Sequence, residues 1–190
     1  MKYPILNKAA IIALIFLVSA CQSEYTKLVK SELKSGKKND TIFYNLRFGN
    51  TRQEFFKICW DLNKEGKVTN GPSNNTVQTT LIPKDSSETL KKIQMLFYGK
   101  FNSQDIMTGM DITFSYNAWS LWNNEFNADK LLPVVQDTLM KWYPGNPFMK
   151  VKGVLVKVDG NRQIELKQES DRDVSVKIED LEYKYKTLVK

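Results

Sequence analysis

The chain has 190 residues, with 28 Lys and Arg against 21 Asp and Glu for a formal net charge of +7, no histidine, and two cysteines, Cys21 and Cys59. That is one domain of ordinary size, long enough to bury roughly two-thirds of the surface its unfolded chain exposes. Without histidine there is no Ser-His-Asp triad, no Cys-His pair and no histidine-based zinc site, and two widely separated cysteines do not supply a thiolate cluster.

Residues 1–8 carry Lys2 and Lys8 and no acid, and they lead into an apolar run from Ala9 to Val18 that ends in Ser19, Ala20 and Cys21. A basic start, a short apolar middle and small residues before a cut are the order of a secretory signal. The run is about half the 20 apolar residues that a helix needs to cross a bilayer core, so a permanent span is not expected.

Leu17-Val18-Ser19-Ala20-Cys21 resembles the lipobox of bacterial lipoproteins. The resemblance implies that the peptidase cuts between Ala20 and Cys21 and that the Cys21 thiol carries a diacylglyceryl group, with palmitate-type chains holding the protein on a membrane. Two or three acyl chains would make release negligible, since each buried methylene contributes about 0.8 kcal/mol. Removal of residues 1–20 takes away Lys2 and Lys8 and no acid, leaving 26 bases against 21 acids and a charge of +5. Lys27, Lys30, Lys34, Lys37 and Lys38 then crowd near the anchor against the single acid Glu32. They read either as a surface for anionic headgroups or, the preferred reading, as the solvated face of a tether helix.

Tyr25, Leu28, Val29 and Leu33 keep helical spacing and Gly36 sits at a C-cap position, which predicts a short tether helix before a polar turn. The chain thus divides into a signal over 1–20, a lipid-anchored helix and linker over 21–40, and one domain over 41–190. Ile42 to Phe48, rich in aromatic and branched residues, predicts a strand. Thr51-Arg52-Gln53-Glu54 matches a capping box, and Phe55, Phe56, Ile58, Cys59, Trp60 and Leu62 behind it predict a core helix with a wide apolar surface that closes at Gly66. Cys59 on that helix reads as a small buried hydrophobe with no redox role.

Strands are expected over Val77–Ile82, Ile93–Tyr98 and Asp111–Tyr116, separated by turns rich in Asn, Gly, Pro and Ser. Leu131, Val135, Leu139 and Trp142 predict a second helix over Asp129–Tyr143 with Asn127 as N-cap and Pro133 in its first turns or at a bend. Three strands follow: Met149–Val158, Gln163–Lys167 after a hairpin turn at Asp159-Gly160-Asn161, and Val174–Tyr185 with a bulge or bend near Glu179-Asp180. This order predicts an α+β fold, an antiparallel sheet with helices packed on one face. Two halves, each a helix followed by about three strands, are conceivable, though no residue-level repeat marks them.

No Gly-rich phosphate loop, nucleophile elbow or paired-Cys motif occurs, so no metal ligand, cofactor or catalytic residue is assigned. Glu169-Ser170-Asp171-Arg172-Asp173 lacks the glycine and spacing of a calcium loop and reads as a charged turn. Tyr116, Trp119 and Trp122 form the most unusual cluster, set among Asn and Ser before the second helix. They are candidates for stacking a sugar or peptide, or else plugs covering the end of the sheet. Nucleic acid is not an expected partner of an exported chain with evenly spread charge.

Phe48-Gly49-Asn50-Thr51 followed by Phe55-Phe56 is similar to the Gly-Met-Thr turn into a helix of BamE/SmpA-type outer-membrane lipoproteins, with Asn50 in place of Met. The chain as a whole, with Trp- and Lys-rich strands and Asn-rich turns, resembles lipoproteins of unassigned role from the Bacteroidetes. That resemblance implies Thr41 in Asp40-Thr41-Ile42 as a candidate O-glycosylation site, with Thr138 in Asp137-Thr138-Leu139 the poorer one because it falls on a helix. The expectation is a non-catalytic binding or assembly module, lipid-anchored in the bacterial cell envelope at the outer membrane, with an envelope protein or glycan as partner. The competing expectation is a carboxylate-dependent enzyme acting on envelope glycans.

Overall fold

The computed structural model describes residues 23–72, 76–83 and 89–188; the expected signal, Ala20 and Cys21 lie outside the described residues. The fold is α+β. Helix α1 (Glu24–Lys34) is followed by α2 (Arg52–Lys64), strands β1 (Thr69–Asn70), β2 (Val77–Leu81), β3 (Ile93–Phe101) and β4 (Met107–Tyr116), helix α3 (Ala128–Trp142), strands β5 (Met149–Val151), β6 (Val154–Asp159), β7 (Arg162–Gln168) and β8 (Val174–Asp180), and helix α4 (Leu181–Leu188). All neighbouring strands pair antiparallel in the order β1-β2-β3-β4-β8-β7-β6-β5.

That order is a topological duplication. A helix and a four-stranded meander (α2, β1–β4) are repeated as α3, β5–β8, and the two meanders join through their last strands, β4 against β8. Among the described residues each half has four strands where the sequence pattern suggests three: the two-residue β1 adds one to the first half, and in the second Lys152-Gly153, both at positive φ, split the expected Met149–Val158 strand into the β5–β6 hairpin.

Strand alternation builds the core. Ile93, Met95 and Phe97 of β3, Ile112, Phe114 and Tyr116 of β4, Ile164 and Leu166 of β7, and Val174, Val176 and Ile178 of β8 all point to one face and are buried there under α2 and α3. Each fully buried side chain of this size contributes roughly 1.5–3 kcal/mol relative to exposure. From α2 the buried stripe is Phe55, Cys59 and Leu62, and from α3 it is Leu131, Val135 and Leu139. The stripe on α2 is narrower than its sequence suggests: Phe56 and Trp60 face solvent, 47% and 62% exposed. The capping box forms, with Thr51 Oγ1 accepting from the Glu54 amide at 3.1 Å and Glu54 Oε2 accepting from the Thr51 amide at 2.8 Å. Asn127 occupies the N-cap position of α3 without a side-chain cap bond, its amide donating instead to Asn124.

Two expected strands are corrected. Ile42–Phe48 is a compact loop that reverses at Tyr44 and Asn45, both at positive φ, and is closed by the Thr41–Arg47 bridge. Its apolar residues serve as a plug between α2 and α3: Ile42, Leu46 and Phe48 are buried, and Phe43 meets Phe97 edge-on at 5.0 Å. Val174–Tyr185 is a strand only to Asp180, after which the apolar phase shift marks the start of α4 rather than a bulge.

Helix α1 packs on the opposite face of the sheet. Val29 joins Val156, Val158 and Leu181 in a second, smaller core flanked by Tyr25, Leu28, Leu33, Val151 and Val154. The long helices α2 and α3 therefore cover one face, while α1 covers the far end of the other. No described helix is long and apolar enough to cross a membrane.

Candidate functional site

The three aromatics singled out in the sequence do not form one surface. Tyr116 ends β4 in the core and stacks edge-on against Phe126 at 5.4 Å. Trp119 is half-buried against the same core with the Arg172 guanidinium 5.6 Å from its ring, and its Nε1–H has no acceptor among the described residues. Trp122, at the tip of the Ser120–Asn123 bridge, is 93% exposed, beside Leu121 at 74%. The loop thus splits into a plug (Tyr116, Trp119) and a free tip (Leu121, Trp122).

A concave apolar surface lies next to that plug. A groove of about 750 Å³ runs between the outer side of α3 and β2, floored by Ile93 and Tyr116 and walled by Leu81, Ile82, Val134 and Trp142. Pockets of several hundred Å³ with apolar walls and a few polar groups are the usual ligand sites of folded domains. Val134, Thr138, Lys141 and Trp142 recur at helical spacing one face away from the buried stripe of α3, which is why they line the groove instead of the core. The Thr138 hydroxyl donates to the Val134 carbonyl at 2.8 Å, so this candidate modification site is engaged within the helix. None of the described residues lining the groove is acidic. The sequence held a signal for this site in the off-stripe apolar residues Val134 and Trp142, but Ile82 joins them only through the sheet.

Thr41, the other candidate modification site, is exposed at the mouth of a polar pocket of about 460 Å³ with Arg47, Asn50 and Glu54. Cys59 stands at the base of a further groove of about 550 Å³ beside Phe56 and Trp60, and burial pushes its thiol up to about 12, far from a reactive thiolate.

A buried polar clasp fixes the N-terminal segment to the β6–β7 hairpin. Lys157, Asp159, Asn161, Arg162 and Gln163 are all buried. Lys157 Nζ donates to Asp159 Oδ2 at 2.7 Å and to the Asn146 carbonyl, while Asp159 Oδ1 accepts from the Asn146 amide at 2.7 Å. The Asn39 amide donates to Asn161 Oδ1 at 2.7 Å, Asn161 Nδ2 to Asp40 at 2.7 Å, and Arg162 to the Thr41 carbonyl at 2.9 Å. The Arg162 guanidinium lies 4.3 Å from the Tyr143 ring, and burial lowers its pKa. From α1, Glu32 accepts from the Gly160 amide and from Asn146 Nδ2, both at 2.7 Å. The Gly160 N–H holds the Glu32 carboxyl below the usual carboxylate range, opposed in part by burial and reinforced by Asn146. Gly160 is at positive φ, and a Cβ there would collide with the Lys37 carbonyl, so the close passage of the linker requires glycine. These bonds make α1 and residues 37–41 an integral strap of the fold. The strap starts on the face opposite the groove, so Ser23 and the groove lie on different faces of the sheet.

No protein-family model, no curated protein and no solved structure matches the chain.

Proposed function

We propose that this chain is a lipid-anchored protein of the bacterial cell envelope, held on the outer membrane through acylated Cys21, and that its domain is a non-catalytic module that binds an apolar segment of an envelope partner in the groove between α3 and β2. The anchor rests on the lipobox pattern Leu17–Cys21. The observation that carries the binding role is the groove itself: Ile82, Val134 and Trp142 stand 72%, 40% and 37% exposed around one cavity, a concentration of uncovered apolar surface of the kind that marks interaction sites. Because α1 straps the other face, anchoring at Cys21 leaves the groove open to a partner.

Two measurements test the reading. Cells given labelled palmitate should incorporate it into the wild-type protein and not into Cys21→Ala; a wild type without label sinks the anchor. A photo-crosslinker replacing Val134 should trap one discrete envelope species that the additional change Ile82→Asp removes, while a crosslinker at exposed Lys67 traps none. The same species trapped at both positions contradicts the groove, and glycan in the trapped product in place of polypeptide replaces the proposed partner class.

A further inference from the structure

A second groove, of about 840 Å³, lies at the start of α1, where Ser23, Tyr25 and Thr26 meet the β5–β6 hairpin. Its apolar lining, Met149, Val151 and Val154, is only partly covered; the hairpin tip turns through Lys152 and Gly153 at φ +48° and +88°, and Lys152 at the tip and Lys150, on the other face of the edge strand opposite Leu155, are both exposed. Ser23 stands two residues after Cys21, so the chain confines an acyl group on Cys21 to roughly 7 Å beyond this groove. Several lysines elsewhere are ion-paired, although exposed Lys141 beside the α3 groove also has no ion pair among the described residues; what marks this end is that four such lysines gather beside the anchor. Lys57, Lys67, Lys100, Lys167 and Lys177 each stand within 4.0 Å of a carboxylate. Lys27, Lys30, Lys150 and Lys152 are exposed and have no ion pair among the described residues. The acids lining this groove are Glu24 and Glu165; Glu179 also acts on Tyr25 but is paired with Lys177 and Lys184.

We infer that the α1 start and the β5–β6 hairpin form a membrane-contact face, in which Lys27, Lys30, Lys150 and Lys152 meet anionic lipid headgroups and the partly covered valines reach the interface. The inference rests on the anchor reading and deepens it: the acyl chains fix the protein to the bilayer, and the basic hairpin fixes which way it stands. Basic residues near an anionic surface are attracted over about one Debye length, roughly 10 Å at 0.1 M salt, so only charges placed beside the anchor can act this way. The fold supplies that placement by bringing residues 150–152 to the N-terminus of α1. It also puts the opposite sheet edge, β1, seven strand spacings or about 30 Å away.

The test uses the mature acylated protein in vesicles of phosphatidylcholine with phosphatidylglycerol and a headgroup spin label. A fluorophore on Lys150→Cys is compared with one on Lys67→Cys, beyond β1's end of the sheet; Cys59 is buried and does not compete for label. Quenching at position 150 should be several-fold that at position 67, should fall toward the position-67 level at high salt, and should fall likewise in vesicles of neutral lipid. Combining Lys150→Cys with Lys27→Gln and Lys152→Asn should reproduce the neutral-lipid result, Asn being chosen because it tolerates the positive φ of that position. Equal quenching at the two positions, or quenching at 150 that ignores salt and lipid charge, overturns the inference. An acylated chain with an unquenched position 150 overturns the inference alone, whereas a chain without acyl mass on Cys21 overturns the anchor reading and the inference together.

Discussion

At the scale of single residues, burial decides chemistry that residue type leaves open. Cys59 is a thiol, but desolvation raises it to about 12, so in native protein at pH 8 it should resist iodoacetamide while alkylation proceeds once the chain is unfolded in denaturant; rapid labelling of the native form contradicts the buried placement. Glu32 shows the reverse case, an acid made more acidic by its partners. Because its folded-state pKa is depressed, its contribution to stability is present above the unfolded carboxylate value of about 4.3 and is lost as pH falls through the lower folded value. Glu32→Gln should therefore cost about 1–2 kcal/mol at pH 7, and the gap to wild type should narrow as pH falls below about 4. Denaturant titrations at both pH values read this difference, and a gap that stays constant assigns the cost to packing instead. Nothing local in the sequence announced this role, since Glu32 meets Gly160 across 128 positions.

At the scale of elements, local rules were reliable where the chain governs its own hydrogen bonds. The capping box at Thr51 and Glu54 forms as its spacing requires, and Thr51→Ala should lower stability by about 1 kcal/mol, read as a drop in Tm of a few degrees without change in fold. Local rules fail where apolar density imitates a strand. The Ile42–Phe48 segment has strand-like composition because it is a plug whose side chains are gripped by α2, α3 and β3, and its backbone reverses at Tyr44-Asn45 instead of extending. Leu46, fully buried within that plug, should behave as core: Leu46→Ala should cost about 2–5 kcal/mol, and a cost below 1 kcal/mol would show the loop to be dispensable.

At the scale of the whole molecule, two helix-and-meander halves join at β4 and β8 and leave their first strands, β1 and β5, as short outer edges. Short edges limit pairing with other chains. The buried Lys157–Asp159 pair holds the second half to the segment after α3, and Asn146 and Glu32 extend the connection to α1. Asp159→Asn should destabilise the protein by about 3 kcal/mol, because it leaves a buried ammonium without its counter-charge, and adding Lys157→Met should recover part of that loss. If the double variant is less stable than Asp159→Asn alone, the pair is not the source of the cost.

The sequence by itself determined the α+β class, the two long helices and most strand positions, because hydrophobic period, caps and turn residues act within a few residues of one another. The lipobox pattern is likewise a contiguous signal, read without any fold. Only the tertiary structure decided that the two helices share one face while α1 straps the other, and that Tyr116, Trp119 and Trp122 separate into core, plug and tip. It also decided that Ile82 meets Val134 and Trp142 across a groove, and that Lys150 and Lys152 stand beside Ser23. Those are contacts between residues tens of positions apart, fixed by strand order and register, and period and composition carry no record of either.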